Sequence, residues 1–172
     1  MTSSSRRAAL ALALLAPAVA SVADPSTDAA EREAILAVVQ AYFRYEGQGD
    51  MLAQAQLMTD DRSMYYAGGR LTGPNRPRML ESQAEEARYA KEFPGVGYTF
   101  DLRDVVVQTY NGDSAMVTLE SVPTRVVPAD LPARKRARLG HGKKPYIVAL
   151  MLVRQPGGWK IAFTGFVPVA AR

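Results

Sequence analysis

Asp101-Leu102-Arg103-Asp104 concentrates more usable chemistry than any other stretch of this 172-residue chain. On an extended strand alternate side chains share a face, so Asp101 and Arg103 stand together while Asp104 points the other way. A carboxylate beside a guanidinium can bind and polarise a polar ligand. A carboxylate enclosed by apolar groups has its pKa raised toward neutrality, which suits proton transfer. The same four residues also read as a cross-strand salt bridge at a wet strand end. His141 is the one imidazole, and imidazole titrates near neutrality without help. Its setting, Gly140-His141-Gly142 among basic residues, describes a solvated loop histidine, or a lid base if that loop folds over a cavity. Tyr65 and Tyr66 are neighbours, so on a strand one faces inward. The inward one either hydrogen-bonds a ligand carbonyl or is a core tyrosine with its hydroxyl at a pocket rim. Asp101, Asp104, Tyr65 and His141 are therefore the catalytic candidates. Tyr42, Tyr66, Phe100, Arg103, Trp159 and Phe163 are the candidate ligand contacts. Tyr42, Phe100, Trp159 and Phe163 equally read as core aromatics, some of them lining a cavity.

Composition removes many alternatives. The chain has no cysteine, so disulfides, thiolate metal sites, cysteine nucleophiles and an acylated-cysteine anchor are excluded. One histidine excludes a zinc site built on two or three imidazoles. No glycine-rich phosphate loop is present. Neither a metal nor an organic cofactor is called for.

These residues must be placed by a single domain's worth of chain. Ser26, Thr27 or Asp28 can cap a first helix whose apolar residues Ile35, Val38, Val39, Tyr42 and Phe43 recur at helical spacing to about Tyr45. Gly47 and Gly49 end it, and Asp50 caps a shorter helix from Met51 to Leu57 or Met58. Thr59-Asp60-Asp61 reads as a turn, Arg62 to Tyr66 as a strand, Ala67-Gly68-Gly69 as a hairpin turn and Arg70 to Thr72 as its return. A third helix opens at Asn75 or Arg76, with Met79, Leu80, Gln83, Ala84, Ala87 and Phe93 inward, Glu81, Glu85, Glu86, Arg88 and Lys91 outward, and Pro94-Gly95 as its stop. Then come Tyr98 to Tyr110, the turn Asn111-Gly112-Asp113, Ser114 to Val122, a long loop, Tyr146 to Arg154 and Trp159 to Val167. The near-continuous apolar run in Tyr146 to Arg154 predicts a strand buried on both faces in mid-sheet. Helices followed by antiparallel strands give an α+β fold with helices on one sheet face. A curved sheet wrapped around the long helix leaves a conical cavity, and its other face is suited to a second subunit.

Residues 1–23 have the form of an export signal: Arg6 and Arg7, then the apolar run Ala8 to Ala16, then Pro17 and two small-x-small sites. The run is too short for the ~30 Å hydrocarbon core of a bilayer. Cleavage after Ala23, a linker at 24–27 and a folded domain at 28–172 are expected. The destination is the periplasm or the outside, by the general secretory route or, from Ser5-Arg6-Arg7, the twin-arginine route. Membrane contact is expected for that signal alone. Lys and Arg number 21 against 17 Asp and Glu, but the excess is local. Residues 124–144 hold Arg125, Arg134, Lys135, Arg136, Arg138, Lys143 and Lys144 against Asp130. This basic loop, 123–145, is a solvated excursion, a holder of an anionic ligand or partner, or a contact for anionic lipid. No aromatic interleaves its cations as a nucleic-acid stacking surface requires, and export also argues against that partner.

Four stretches carry a family resemblance. They are Ile35 to Phe43 followed by Gly49-Asp50, then Thr59-Asp60-Asp61 before the short hairpin. The others are Val105-Val106-Val107 through Asn111-Gly112-Asp113 to Val117, and Val148 to Val153 followed by Gly157-Gly158-Trp159-Lys160-Ile161. Their order and spacing resemble the nuclear transport factor 2-like superfamily over about Asp28 to Pro168. That superfamily includes polyketide-cyclase-like proteins, and the helix with Gly49-Asp50 and the closing Gly-Gly-Trp-Lys-Ile look most like its lumazine-binding branch. The resemblance implies a cystatin-like, cone-shaped fold and, in members that are enzymes, an acid or base in the pocket. An Asp-Arg-Asp epoxide-hydrolase set exists in that superfamily. Here the order is Asp-x-Arg, so it is not carried over. In the branch, aromatic or histidine side chains often precede the acidic turn. Gln56, Leu57 and Met58 stand there instead, and the basic loop is longer.

The expectation is an exported protein, dimeric through its sheet, that binds a small apolar or flat molecule. The alternatives are a cofactor-free isomerase, cyclase or dehydratase using Asp101 or Asp104 with a tyrosine hydroxyl, and a non-catalytic dimeric interaction module. An acid buried in an open pocket favours the enzyme, an open pocket without one favours binding, and a filled one favours the module.

Overall fold

A computed structural model describes residues 29–66 and 69–169. The export signal, the linker and the tip of the first hairpin lie outside the described residues. Ten elements follow in chain order: α1 Ala29–Gln48, α2 Met51–Ala55, β1 Met58–Tyr66, β2 Gly69–Leu71, α3 Asn75–Glu92, β3 Gly97–Tyr110, β4 Ser114–Val126, α4 Ala133–Arg136, β5 Tyr146–Gln155 and β6 Gly158–Pro168. The strands form one six-stranded sheet in the order β2-β1-β6-β5-β4-β3. It is a mixed α+β fold with the helices packed on a curved sheet. Among the described residues no helix is long and apolar enough to cross a membrane.

The core follows from two periodicities. On α1, Ile35, Val39, Tyr42 and Phe43 form one buried stripe, the three-to-four spacing of a helix face. On the sheet, Ala115, Val117 and Leu119 of β4 meet Val148, Leu150 and Leu152 of β5 and Ile161 of β6, all buried. The tight turn at Asn111-Gly112 has φ of 52° and 69°, the left-handed conformation that Asn and Gly tolerate best.

Four details differ from the sequence expectation. β1 begins at Met58, so Thr59-Asp60-Asp61 is strand rather than turn. The cause is β6: Ile161 N–H donates to the Leu57 carbonyl at 2.8 Å, and β1 runs parallel to β6 in the register Met64↔Thr164. That pairing is the parallel one in a sheet otherwise antiparallel. β5 alternates instead of being buried on both faces. Val148, Leu150 and Leu152 are covered, whereas Ile147 and Met151 are 48% and 43% exposed. On α3, Leu80, Ala84 and Ala87 are exposed and Glu86 half-buried, while Met79 is buried in the core and Gln83 reaches the start of α2. Asp104 has φ of 50° in a bulge where the β3–β4 register shifts between Arg103 and Val106.

One contact fixes where α1 ends. A Cβ on Gly47 would stand 2.2 Å from the Tyr98 carbonyl oxygen, and one on Gly97 would stand 2.9 Å from the Gly47 oxygen. The last turn of α1 rests backbone-to-backbone on the start of β3. Gln83 of α3 secures the corner that follows: its Oε1 accepts from Met51 N–H at 2.8 Å and its Nε2 donates to the Gly49 carbonyl at 3.1 Å. Gly47→Ala is therefore expected to lower stability by about 2 kcal/mol through overpacking. Thermal unfolding checks this, and an unchanged Tm would contradict it.

Candidate functional site

Below its filled core the sheet opens away from α1, leaving a cavity of about 690 Å³. Each strand supplies its wall where the aliphatic core residues stop. β4 passes from Leu119 to Ser121, β5 from Val148 back to Tyr146, and β6 from Thr164 to Phe166 and Pro168. Met64 and Tyr66 come from β1, Tyr98 and Phe100 from β3, and Tyr42, Phe43 and Glu46 from α1. Tyr66, Tyr146 and Phe166 form an aromatic triad with centroids 6.0–6.2 Å apart, tilted and edge-on as aromatic quadrupoles prefer. The hydroxyls of Tyr66 and Tyr146 share a hydrogen bond at 3.2 Å. That bond, with burial second, raises the Tyr146 pKa above its ordinary value.

The basic loop crosses the cavity and brings His141 to Lys144 to its wall. Arg125 tethers it, donating from Nη1 to the Gly140 carbonyl at 2.8 Å and from Nε to the Tyr98 hydroxyl at 3.1 Å. Lys143 donates to Glu46 Oε1 and lies 5.2 Å from the Tyr98 ring centroid and 5.6 Å from that of Phe100. Glu46 Oε2 accepts from Gln54 Nε2 at 3.0 Å. Gln54 is 2% exposed and also donates to the Tyr42 carbonyl at 3.2 Å. The carboxylate is thus held from α2 on one side and from the loop on the other. A second cavity of about 510 Å³ shares Glu46, Tyr98, His141 and Lys143 and adds Glu86. Burial pushes the Glu86 pKa up, Lys143 pulls it down, and Glu46 and Glu85 push it further up. Burial also raises the Tyr42 pKa well above the usual phenol range. Glu46 adds to that rise, while the Arg62 charge and hydrogen bond oppose it.

The structure brings four of the sequence candidates together: Tyr42, Tyr66, Phe100 and His141 all line the main cavity. It places the others elsewhere. Asp101 and Arg103 form an ion pair at 2.7 Å with side chains more than half exposed. They lie on the outer sheet face, since Phe100, between them and Thr99 on the strand, takes the cavity side. Asp104 is exposed in its bulge. Tyr65 is 43% exposed and faces out, because Tyr66 faces in. Trp159 is buried in the core with the Arg154 guanidinium 4.8 Å from its ring centroid. Phe163 does not line the cavity: it pairs with the exposed Met151 in the β5–β6 register and so shares its outer face. Glu46, Tyr98, Ser121 and Tyr146 are site residues to which the sequence analysis gives no role, and Lys143 is named there only among the loop cations. Glu46 had a signal, standing one helical turn after Tyr42, but the predicted helix stopped at Tyr45.

A family profile described as a SnoaL-like domain matches residues 27–164. No curated protein matches significantly. Among solved structures, a candidate dehydratase of the NTF2-like family from Streptomyces avermitilis is similar at a TM-score of 0.60 and 18% identity, covering 81% of this chain and 96% of that one. An NTF2-like protein with a cystatin-like fold from Novosphingobium aromaticivorans gives a TM-score of 0.58 and 18% identity over 83% of this chain and 84% of its own. An uncharacterised protein with a cystatin-like fold from Caulobacter vibrioides gives 0.58 and 17% over 82% and 91%. At these identities the likeness is one of fold.

The raised Tyr42 pKa has a pH consequence. Above the ordinary phenol pKa of 10.0 the unfolded chain releases this proton while the folded one keeps it, so folding stability falls as pH rises beyond about 10. Tyr42→Phe removes that proton from both states. Denaturant titrations at pH 8 and pH 10.5 should show a smaller alkaline loss in Tyr42→Phe than in the parent, and equal losses would contradict the burial of this hydroxyl.

Proposed function

The chain belongs to the SnoaL-like domain family, and from that premise we propose that it is an exported, dimeric protein that binds a small, flat or apolar molecule in its aromatic cavity. The observation that carries the binding reading is the open cavity itself: a pocket of this volume is in the range that holds a small ligand, and a pure interaction module has no use for it. Tyr66, Tyr146, Phe166, Phe43 and Phe100 offer ring faces and edges for a planar body. Ser121, His141 and the paired tyrosine hydroxyls supply the few polar groups that orient it. The narrower possibility raised by the lumazine-binding resemblance, a fused bicyclic ring, suits the same walls. Export rests on the charge, length and cleavage pattern of residues 1–23. Dimerisation rests on the outer face of β5, where the apolar side chains Ile147 and Met151 are nearly half exposed.

A second reading, a cofactor-free isomerase or dehydratase, is favoured by one observation: Glu46 puts a carboxylate on the wall of the cavity that His141 also lines. It replaces Asp101 and Asp104 in that role, because Asp101 is ion-paired on the outer sheet face and Asp104 is exposed in its bulge. Glu46 would carry the proton, and the Tyr66–Tyr146 hydroxyl pair would hold the substrate oxygen. The engagement of Glu46 by Lys143 and Gln54 puts binding first.

Titration with the neutral fluorophore N-phenyl-1-naphthylamine tests the pocket. Ser121→Phe, which fills the wall, should weaken binding at least tenfold with little loss of Tm; unchanged affinity would overturn the pocket reading. Glu46→Gln should keep probe affinity within about threefold, and if turnover of any substrate is found, should lower it by about 100-fold or more, as expected for loss of a general acid or base. In sedimentation velocity the parent should run as a dimer and Met151→Glu as a monomer, and a monomeric parent would exclude the sheet interface.

A further inference from the structure

Behind the cavity wall is a cation without a counter-ion. Arg62 of β1 is 2% exposed, yet forms no ion pair among the described residues, whose five salt bridges all lie elsewhere. Its Nη1 donates to Thr164 Oγ1 at 3.2 Å, and its buried Nε has no partner. Thr164 is 0% exposed, so neither group is turned to water. Arg78 of α3 adds a second guanidinium rather than an acid. It donates to the Arg62 carbonyl at 3.1 Å, and its Nε is also buried and unpartnered. An arginine is seldom buried unless it is paired, because a buried guanidinium with an idle donor is costly to hold.

Its surroundings connect it to the cavity. Met64, two residues along the same inner face of β1, lines the cavity and is the register partner of Thr164. Tyr42 also lines the cavity, and its hydroxyl faces the Arg62 guanidinium. The cavity wall nearest Arg62 is therefore a flexible thioether and a phenol. The one carboxylate lining the cavity, Glu46, is at the loop and already engaged by Lys143 and Gln54. Lys144 and His141 line the cavity from the loop. A guanidinium thus stands behind the Met64 and Tyr42 part of this largely aromatic cavity, and the Lys144 ammonium lines it from the loop.

We infer that the ligand of this cavity is an acid: a planar apolar body held among the aromatic rings, with a carboxylate or comparable oxyanion directed to the unpartnered donor of Arg62. Arg62 is the residue that sets this specificity. The unpartnered Nε–H supplies one charge-assisted hydrogen bond to the oxyanion while Nη1 stays with Thr164. The inference rests on the pocket reading above and narrows its ligand class.

The test uses a matched pair of probes, 2-naphthoate and 2-naphthamide, which share size and ring and differ in charge. Calorimetric or fluorescence titration of the parent at neutral pH should give at least tenfold tighter binding of the acid. In Arg62→Met the two affinities should come within about twofold of each other, with the amide little changed. Because that variant removes a buried group, a second readout uses the parent itself. The Arg62 Nε–H proton resonance, assigned with Arg62→Lys, should shift and exchange more slowly with water when naphthoate is added, and should not respond to naphthamide. Equal affinity for both probes, or a preference that survives Arg62→Met, would overturn the inference while leaving the pocket in place. Failure of both probes to bind would remove the pocket reading, and the inference with it.

Discussion

The close approach of Gly47 to the Tyr98 carbonyl is the constraint on which the geometry of the site depends. No side chain separates the end of α1 from the start of β3 there, because none fits. This seat decides which α1 residues look into the cavity. One turn before it is Phe43, packed 5.4 Å from Phe100 between ring centroids, and beside it Glu46 projects to meet the loop. A bulkier residue at position 47 would lever α1 away from β3. The Tyr98 and Phe100 rings, and the Lys143 ammonium poised over them, would lose their facing surface. Helix, strand and loop are therefore assembled around a pair of glycines that carry no chemistry themselves.

The same elements build core at one end and site at the other. Along α1 the inward residues change from Ile35 and Val39 to Tyr42, Phe43 and Glu46. Along the central strands they change from Val117, Leu150 and Ile161 to Ser121, Tyr146 and Phe166. Aliphatic side chains interdigitate and close the gap between helix and sheet, as close packing demands. Beyond them the sheet curves away and aromatic rings line the space without filling it. Polar groups concentrate at the two limits of that space. Glu46, Lys143 and the tethering Arg125 are at the loop, and Arg62 with Thr164 is on the core side. The bare outer face of the sheet, with Ile147, Met151 and Phe163, is separate from this chemistry.

Most of the fold was legible in the sequence because it obeys simple periods. α1, α3 and the long strands fell where apolar spacing and the turns at Gly49-Asp50, Pro94-Gly95 and Asn111-Gly112 predicted. The parallel β1–β6 pairing was not legible, since it depends on a register between residues about a hundred positions apart. For the same reason Thr59-Asp60-Asp61 looked like a turn from its composition. The site was half legible. Tyr42, Tyr66 and Phe100 reach the cavity from a helix and two strands whose faces the spacing separates, whereas His141 reaches it on a loop that Arg125 holds. Asp101 and Arg103 formed the most suggestive local pattern, yet strand phase puts them outside: a strand's two faces are easy to separate, but which one is inner is decided by its neighbours. Arg62 carried no local signal at all, because an arginine on a half-buried strand normally points to water. Lys143 and Glu46 are meaningful only as a pair, and the chain between them spans most of the fold.

The central claim is that the aromatic cavity holds an organic molecule. Native mass spectrometry of the protein purified from its own source cells, followed by gentle activation in the gas phase, tests that claim most directly. The account predicts a protein species carrying a discrete additional mass, released as one acidic aromatic compound and absent from Ser121→Phe prepared in the same way. A parent protein that shows only its bare mass, and that takes up nothing from a total metabolite extract of those cells, would contradict it.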